Sequence, residues 1–210
     1  MDLLQKIAEE LIKGNYPEMP KMIQQALDAN IPPSKILNEG LIAGMDVVGE
    51  KFRTDEFFMP EVIIAARAMQ AAMDILRPKL LEMGFKLAGK VVLGTVKGDL
   101  HEIGKNLVGI MMEGAGLQVI DLGIDVPSEK FVEAVRTNQP NVLGLSALLT
   151  TTMPKMKETI ESLLEAGVRD KVKVMVGGAP VTEKFAKDIG ADGYAPDAAT
   201  AVEKVRELVG

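Results

Sequence analysis

The chain holds few residue types capable of chemistry, and their scarcity narrows the options. It has a single histidine, His101, and no cysteine. Thiol nucleophiles, disulfides, iron–sulfur clusters and thiolate zinc sites are therefore excluded. One histidine cannot make a multi-histidine metal site, so any metal that His101 holds must arrive with most of its ligands attached. His101 stands in the segment Lys97, Gly98, Asp99, Leu100, His101, Glu102, Ile103, Gly104. That segment is glycine-bearing, and glycine-rich loops between a strand and a helix commonly cradle phosphates. The P-loop spacing fails here, because five residues separate Gly98 from Gly104 and Lys105 is followed by Asn106. The dinucleotide fingerprint GxGxxG is also missing from this turn.

The elements that must position this segment follow from the hydrophobic period. From Lys90 onward, strand-length apolar runs alternate with helical patterns, which predicts a parallel sheet covered on both faces. The expected strands are 91–96, 118–122, 142–146, 172–176 and 193–195. Five strands and five helices predict a doubly wound, Rossmann-like (flavodoxin-like) α/β domain, whose ligands bind beyond the carboxyl ends of the strands. Four segments reach that end. They are the His101 segment, Gly123 to Pro127, Ser146 to Thr152, and the pair Gly177 and Gly178.

The preceding residues read as helix. Leu3, Leu4, Ile7, Leu11 and Ile12 share one helical face, and Met22, Ile23, Ala26 and Leu27 repeat the pattern. Ile36, Leu37, Leu41, Ile42, Met45 and Val48 form a third face. A fourth helix starts at Pro60 and carries Val62, Ile63, Ala66, Met69, Met73 and Leu76, with Pro78 expected to kink or end it. The predicted architecture is an N-terminal four-helix bundle over residues 1–88 and the α/β domain over 89–210, joined by a linker at Gly84 to Gly89.

Composition bounds the partners. The 210 residues carry a net charge of −6 with no basic tract, so nucleic acid is not expected as a partner. The N-terminus lacks secretory features, and no apolar run reaches spanning length. A cytoplasmic protein with no membrane association is expected. The thirteen methionines are read as core filler, and Glu102 with Lys105 as a solvated pair.

Three motifs fall in order at three strand ends. They are DxHxxG at Asp99, His101 and Gly104; SxL at Ser146 and Leu148, after 41 intervening residues; and Gly177 with Gly178 after another 28. This pattern resembles the cobalamin-binding domain shared by methionine synthase, methylmalonyl-CoA mutase and related proteins. The helical half is similar to the cap of the methyltransferase branch, ending in Val48, Gly49, Glu50, Lys51, Phe52 through Phe58, Met59, Pro60. Nearly the whole chain therefore resembles a corrinoid protein of an anaerobic three-component methyltransferase system.

The resemblance implies cobalamin or a related corrinoid as cofactor and His101 as axial ligand to its cobalt. Asp99 would accept a hydrogen bond from the other imidazole nitrogen, and Thr152 would extend the relay. Gly98, Leu100, Glu102 and Ile103 would contact the cofactor, and Gly104 would let the helix after the histidine loop start close to its nucleotide tail. Ser146, Leu148, Thr150, Gly177, Gly178 and Tyr194 would line the slot for its nucleotide tail, and Phe52 and Met59 would cap the reactive face. The residues also have plainer readings: a helix cap for Thr150 to Thr152, an ordinary turn for Gly177 and Gly178, and core packing for Phe52.

The implied function is a methyl carrier, non-catalytic alone. It would accept a methyl group on Co(I) from a substrate-specific methyltransferase for methanol, a methylamine or a methoxylated aromatic. A second methyltransferase, acting on tetrahydrofolate or a thiol, would receive it. Without thiols the chain cannot re-reduce cobalt, so an external reductive activase is expected. The alternatives are a small subunit of an adenosylcobalamin mutase, a cobalamin-sensing regulatory module, and a cofactor-free interaction module.

Overall fold

The computed structural model describes residues 2–83 and 88–210. The expected linker falls largely outside them, with only Ala88 and Gly89 described. Contacts divide the chain into two compact units, Met1–Leu87 with Glu113–Gly116, and Ala88–Met112 with Leu117–Gly210. Among the described residues no helix is long and apolar enough to cross a membrane.

The first unit is helical: α1 (Leu3–Ile12), α2 (Met19–Asp28), a continuous run of α3 (Pro33–Lys35), a π-helical stretch (Ile36–Ile42) and α4 (Ala43–Arg53), then α5 (Met59–Glu82). Apolar residues at i, i+3 and i+4 face inward, including Leu4, Ile7 and Leu11 of α1, and Val62, Ala65, Met69 and Leu76 of α5. The π-helical stretch carries the same inward face with Ile36, Leu37 and Leu41. Apolar periodicity does not separate it from an α-helix, so it was invisible in the sequence. A Cβ on Gly44 would lie 3.2 Å from the Cα of Ala8, so the glycine lets α4 lie close against α1. Pro78 does not end α5, which continues to Glu82. A proline four residues from a helix end removes one hydrogen-bond donor, and the following residues still satisfy their own.

The second unit is a five-stranded, all-parallel sheet in the order β2-β1-β3-β4-β5. Its strands are β1 (Lys90–Thr95), β2 (Gln118–Asp121), β3 (Val142–Ser146), β4 (Lys173–Gly177) and β5 (Gly193–Ala195). They lie within one residue of the expected runs. Between them run α6 (Ile103–Gly114), α7 (Ser128–Asn138), α8 (Pro154–Glu165), α9 (Glu183–Asp188) and, last, α10 (Ala198–Val209). Every residue of β1 after Lys90 is buried, as a central parallel strand covered on both faces requires. The core on one side gathers Val92, Phe131, Leu143, Leu145, Met156, Ile160 and Val174.

The chain leaves β1 towards one edge of the sheet and returns through β3 on its other side. The strand order therefore switches between β1 and β3, and the loops after these two strands diverge to leave a crevice. The His101 segment is the loop that leaves β1.

Candidate ligand site at the carboxyl end of the sheet

The β1 to α6 loop is built around Asp99, which is fully buried. Its Oδ1 accepts the His101 backbone N–H at 3.1 Å and the His101 Nδ1–H at 2.7 Å. Its Oδ2 accepts the backbone N–H groups of Leu148 at 2.8 Å and Leu149 at 3.3 Å, and lies 2.7 Å from the Thr152 hydroxyl. That hydroxyl also lies 2.9 Å from the Leu149 carbonyl, but it has one proton to donate, and the charged acceptor takes it. Burial alone would push the Asp99 carboxyl up. The bonds from Thr152, Leu148 and His101 outweigh burial and hold the group well below the usual carboxylate range.

An ionised carboxylate only accepts, so Nδ1 of His101 must carry its proton, and Nε2 keeps a free lone pair. The His101 side chain is 49% exposed, whereas its orienting partner is sealed. The loop thus presents one basic nitrogen outward on a buried anionic anchor. Around it, Leu100, Ile103, Ile124, Leu148 and Leu149 are all exposed. A soluble protein seldom gathers so much aliphatic surface around a polar tip without something to cover it.

The structure thus brings Asp99, His101, Leu148 and Thr152 into one network, with Leu100 and Ile103 at its rim. Gly98 has φ +83°, a conformation that side chains resist. Glu102 is exposed, and its carbonyl accepts the Asn106 N–H at 2.7 Å in the first turn of α6. A Cβ on Gly104 would meet nothing within 4 Å, so this glycine faces open space. Thr150 is exposed and Tyr194 half-buried. Ser146 is half-buried at the end of β3, where its carbonyl accepts the Val96 N–H at 3.0 Å. Phe52 and Met59, both half-buried, belong to the helical unit.

One expectation changes. Lys105 forms no solvated pair with Glu102. It is buried and bonds Asp121 of β2 and the Asn106 amide oxygen, because the first turn of α6 points it towards the end of β2. Gly177 and Gly178 also lie tight against the protein's own backbone: a Cβ on Gly178 would come 1.9 Å from the Ala147 carbonyl oxygen, and one on Gly177 3.0 Å from that of Ala195.

Three supporting residues were not anticipated. The buried Thr95 donates its hydroxyl to the His101 carbonyl at 2.9 Å. Asp121 accepts the Gly123 N–H at 2.8 Å. Asp125 accepts the Gly98 N–H at 2.8 Å and the Lys97 ammonium at 2.9 Å, and donates its own N–H to the Asp99 carbonyl at 3.0 Å. The Gly98 N–H and the Lys97 charge hold the Asp125 carboxyl below its ordinary value. The only signal for Asp125 in the sequence was its place in Gly123 to Pro127, one of the four segments expected at the carboxyl end.

Comparison with known proteins decides the ligand class. The B12 binding domain family matches residues 89–203, and a second family described as a B12 binding domain matches residues 3–77. The chain belongs to the B12-binding corrinoid proteins. It is 41% identical to a corrinoid protein of Desulfitobacterium hafniense (strain Y51), over 100% of this chain and 99% of that one. It is 44% identical to the dimethylamine corrinoid protein of Methanosarcina barkeri, over 99% and 98%. Among solved structures it resembles the methanol:cobalamin methyltransferase complex MtaBC of Methanosarcina barkeri, with TM-score 0.87 and 32% identity over 99% of this chain and 79% of that one. A cobalamin-binding protein of Desulfitobacterium hafniense DCB-2 matches with TM-score 0.83 and 34% identity over the whole of both chains.

The residues of this corrinoid protein fit the cofactor. Among the described residues no cluster of three or more His, Cys, Asp or Glu could hold a metal ion unaided. A corrin carries four nitrogen ligands of its own and needs one imidazole, which is what His101 offers.

Proposed function

We propose that this corrinoid protein is a methyl carrier in which Nε2 of His101 would hold the cobalt of the corrinoid. The observation that carries the reading is the Asp99 network: a buried anion that fixes the His101 tautomer and leaves one nitrogen exposed on an aliphatic rim. When bound, the corrinoid supplies the cobalt on which a methyl group is carried.

The chain's own residues do the rest. Asp99 holds the proton on Nδ1 and so leaves the Nε2 lone pair free to hold a metal. Thr152 and the Leu148 N–H keep the second carboxylate oxygen in place, which steadies the carboxylate that orients the imidazole. Leu100, Ile103, Ile124, Leu148 and Leu149 give the ring's lower face an apolar seat that excludes water.

The partners follow from the role. A substrate-specific methyltransferase delivers the methyl group, and the relatives named for dimethylamine and trimethylamine favour a methylated amine over methanol or a methoxylated aromatic. A second methyltransferase passes it to tetrahydrofolate or a thiol. An external reductive activase restores oxidised cofactor, since the chain has no cysteine. Phe52 and Met59 of the helical unit cover the reactive face. Ser146, Gly177, Gly178 and Tyr194 would hold the nucleotide tail, with Gly104 letting α6 start close to it, and Gly98, Glu102 and Thr150 would be further contacts of the cofactor.

The test is reconstitution with a corrinoid, followed by single-turnover methyl transfer from separately purified methyltransferases for trimethylamine, dimethylamine, monomethylamine, methanol and a methoxylated aromatic. Methylation with one donor, and its loss in His101→Ala, is expected. Failure to retain corrinoid on gel filtration, or methylation unaffected by His101→Ala, overturns the reading.

A further inference from the structure

The histidine loop is clamped from two sides, and the Asp99 network accounts for only the side facing β3. On the β2 side, Asp125 grips three consecutive residues. Its carboxylate takes the Lys97 ammonium and the Gly98 N–H, and its own N–H donates to the Asp99 carbonyl. The grip encloses the backbone on both sides of the residue that orients the imidazole. Asp125 makes it from φ +53°, a left-handed conformation that non-glycine residues other than Asn and Asp rarely adopt. Its turn is braced in turn. Asp121 accepts the Gly123 N–H at 2.8 Å and is paired with the buried Lys105 ammonium. Lys105 lies on α6, which the histidine loop enters. A closed ring of contacts therefore runs from the loop to Asp125, along the turn to Asp121, across to Lys105 and back through α6.

We infer that Asp125 is a positioning residue for His101, setting the height and direction of Nε2 through its hold on Lys97, Gly98 and Asp99. The inference rests on the reading of His101 as axial ligand. Asp125 touches no cofactor atom in this scheme. It acts through the backbone, so its loss spreads the imidazole over orientations that only partly reach the metal. Outer partners of a metal-bound histidine commonly carry tenfold effects or more.

The single histidine makes the test selective. The whole chain is labelled with 15N-histidine, loaded with cob(II)alamin, and examined by electron paramagnetic resonance for the 15N splitting of the axial ligand. The parent should show the 15N doublet and His101→Ala should lose it. Absence of the doublet from the parent, or its survival in His101→Ala, overturns the ligand reading and the inference with it. Asp125→Gly removes the side chain while tolerating the positive φ. It should lower the ratio of histidine-coordinated to uncoordinated cobalt about tenfold. Asp125→Asn retains an oxygen for the Gly98 N–H, tolerates the same backbone and should stay within about twofold of the parent. A parent-like ratio in Asp125→Gly, or an Asp125→Asn protein as impaired as Asp125→Gly, overturns the inference while leaving the ligand reading intact. Should Asp125→Gly fail to fold, Asp125→Glu serves instead, with the charge kept and the acceptor displaced by one methylene. A reduced ratio is again expected, and a parent-like one overturns the inference.

Discussion

The two ends of the parallel sheet use the same kinds of residues to opposite purposes. At the amino end, polar side chains close the structure off. Arg169 bonds the carbonyls of Val172 and Gly190 and pairs with Asp192 at 2.7 Å, while Asp192 also accepts the Val174 N–H at 2.7 Å. Lys90 is tied there to Asn141 and to the Asn138 carbonyl. At the carboxyl end a comparable number of hydrogen bonds converges on Asp99, yet they leave an imidazole nitrogen and aliphatic side chains facing outward. Of the six large apolar residues exposed on the described part of the sheet unit, Leu100, Ile103, Ile124, Leu148 and Leu149 are at this end and only Leu164 is elsewhere. A carboxylate that satisfies its neighbours stabilises a fold. One that does so while holding a free basic nitrogen on an apolar rim stabilises a fold and prepares a site.

Breaking each end separately should pull stability and ligand binding apart. The largest effect is expected from Asp99→Ala, which strands the Leu148 and Leu149 N–H groups, the His101 N–H and the Thr152 hydroxyl. A loss of about 3–5 kcal/mol is expected in urea unfolding, with corrinoid retention abolished. Because folding depresses the Asp99 value, its contribution is fully present above the unfolded carboxyl range near pH ~4 and is lost as pH falls through the folded value. The parent should therefore lose stability on acidification more steeply than Asp99→Asn, and parallel acid-unfolding curves would remove the buried anion from the account.

At the other end, Arg169→Met should cost about 2 kcal/mol by removing bonds to two carbonyls and Asp192, while corrinoid affinity stays within about twofold of the parent. A matching loss of affinity would erase the contrast between the ends. Thr152→Ala should cost about 1 kcal/mol, and Thr152→Ser should recover most of it. An equal loss in both would mean that the methyl group, not the hydroxyl, is what the site needs. The smallest change in stability belongs to His101→Ala, within about 0.5 kcal/mol because the ring is half exposed, even though imidazole coordination to added corrinoid should vanish from the absorption spectrum.

Much of this site was legible because the motif is local. Asp99, His101 and Gly104 lie within six residues, and the alternation of apolar runs placed them at the carboxyl end of a strand, where folds of this class bind their ligands. The supports were hidden by distance along the chain. Asp125 meets Gly98 across 27 residues and Lys105 meets Asp121 across 16, and neither spacing has a period that marks a contact. The Glu102 and Lys105 expectation went astray for the same reason. Adjacent charges suggest each other, while only the register of α6 against β2 gives the buried ammonium its partner. In the helical unit the inward stripes were legible, but the π-helical stretch was not, since it preserves the apolar face and alters only which backbone groups bond.

Residue types alone set the class of chemistry: one histidine and no cysteine leave room for a metal only if most of its ligands come with it. The sequence also determined the order of strands and helices, because periodicity is written residue by residue. The tertiary structure decided what the histidine can do. Only folding brings Leu148, Leu149 and Thr152 onto one oxygen of Asp99 and His101 onto the other, and only that closure fixes which imidazole nitrogen carries the proton. A carboxylate two residues from a histidine is common in sequences. Burying it with every lone pair occupied requires two loops from neighbouring parallel strands to meet, and that meeting is a property of the sheet.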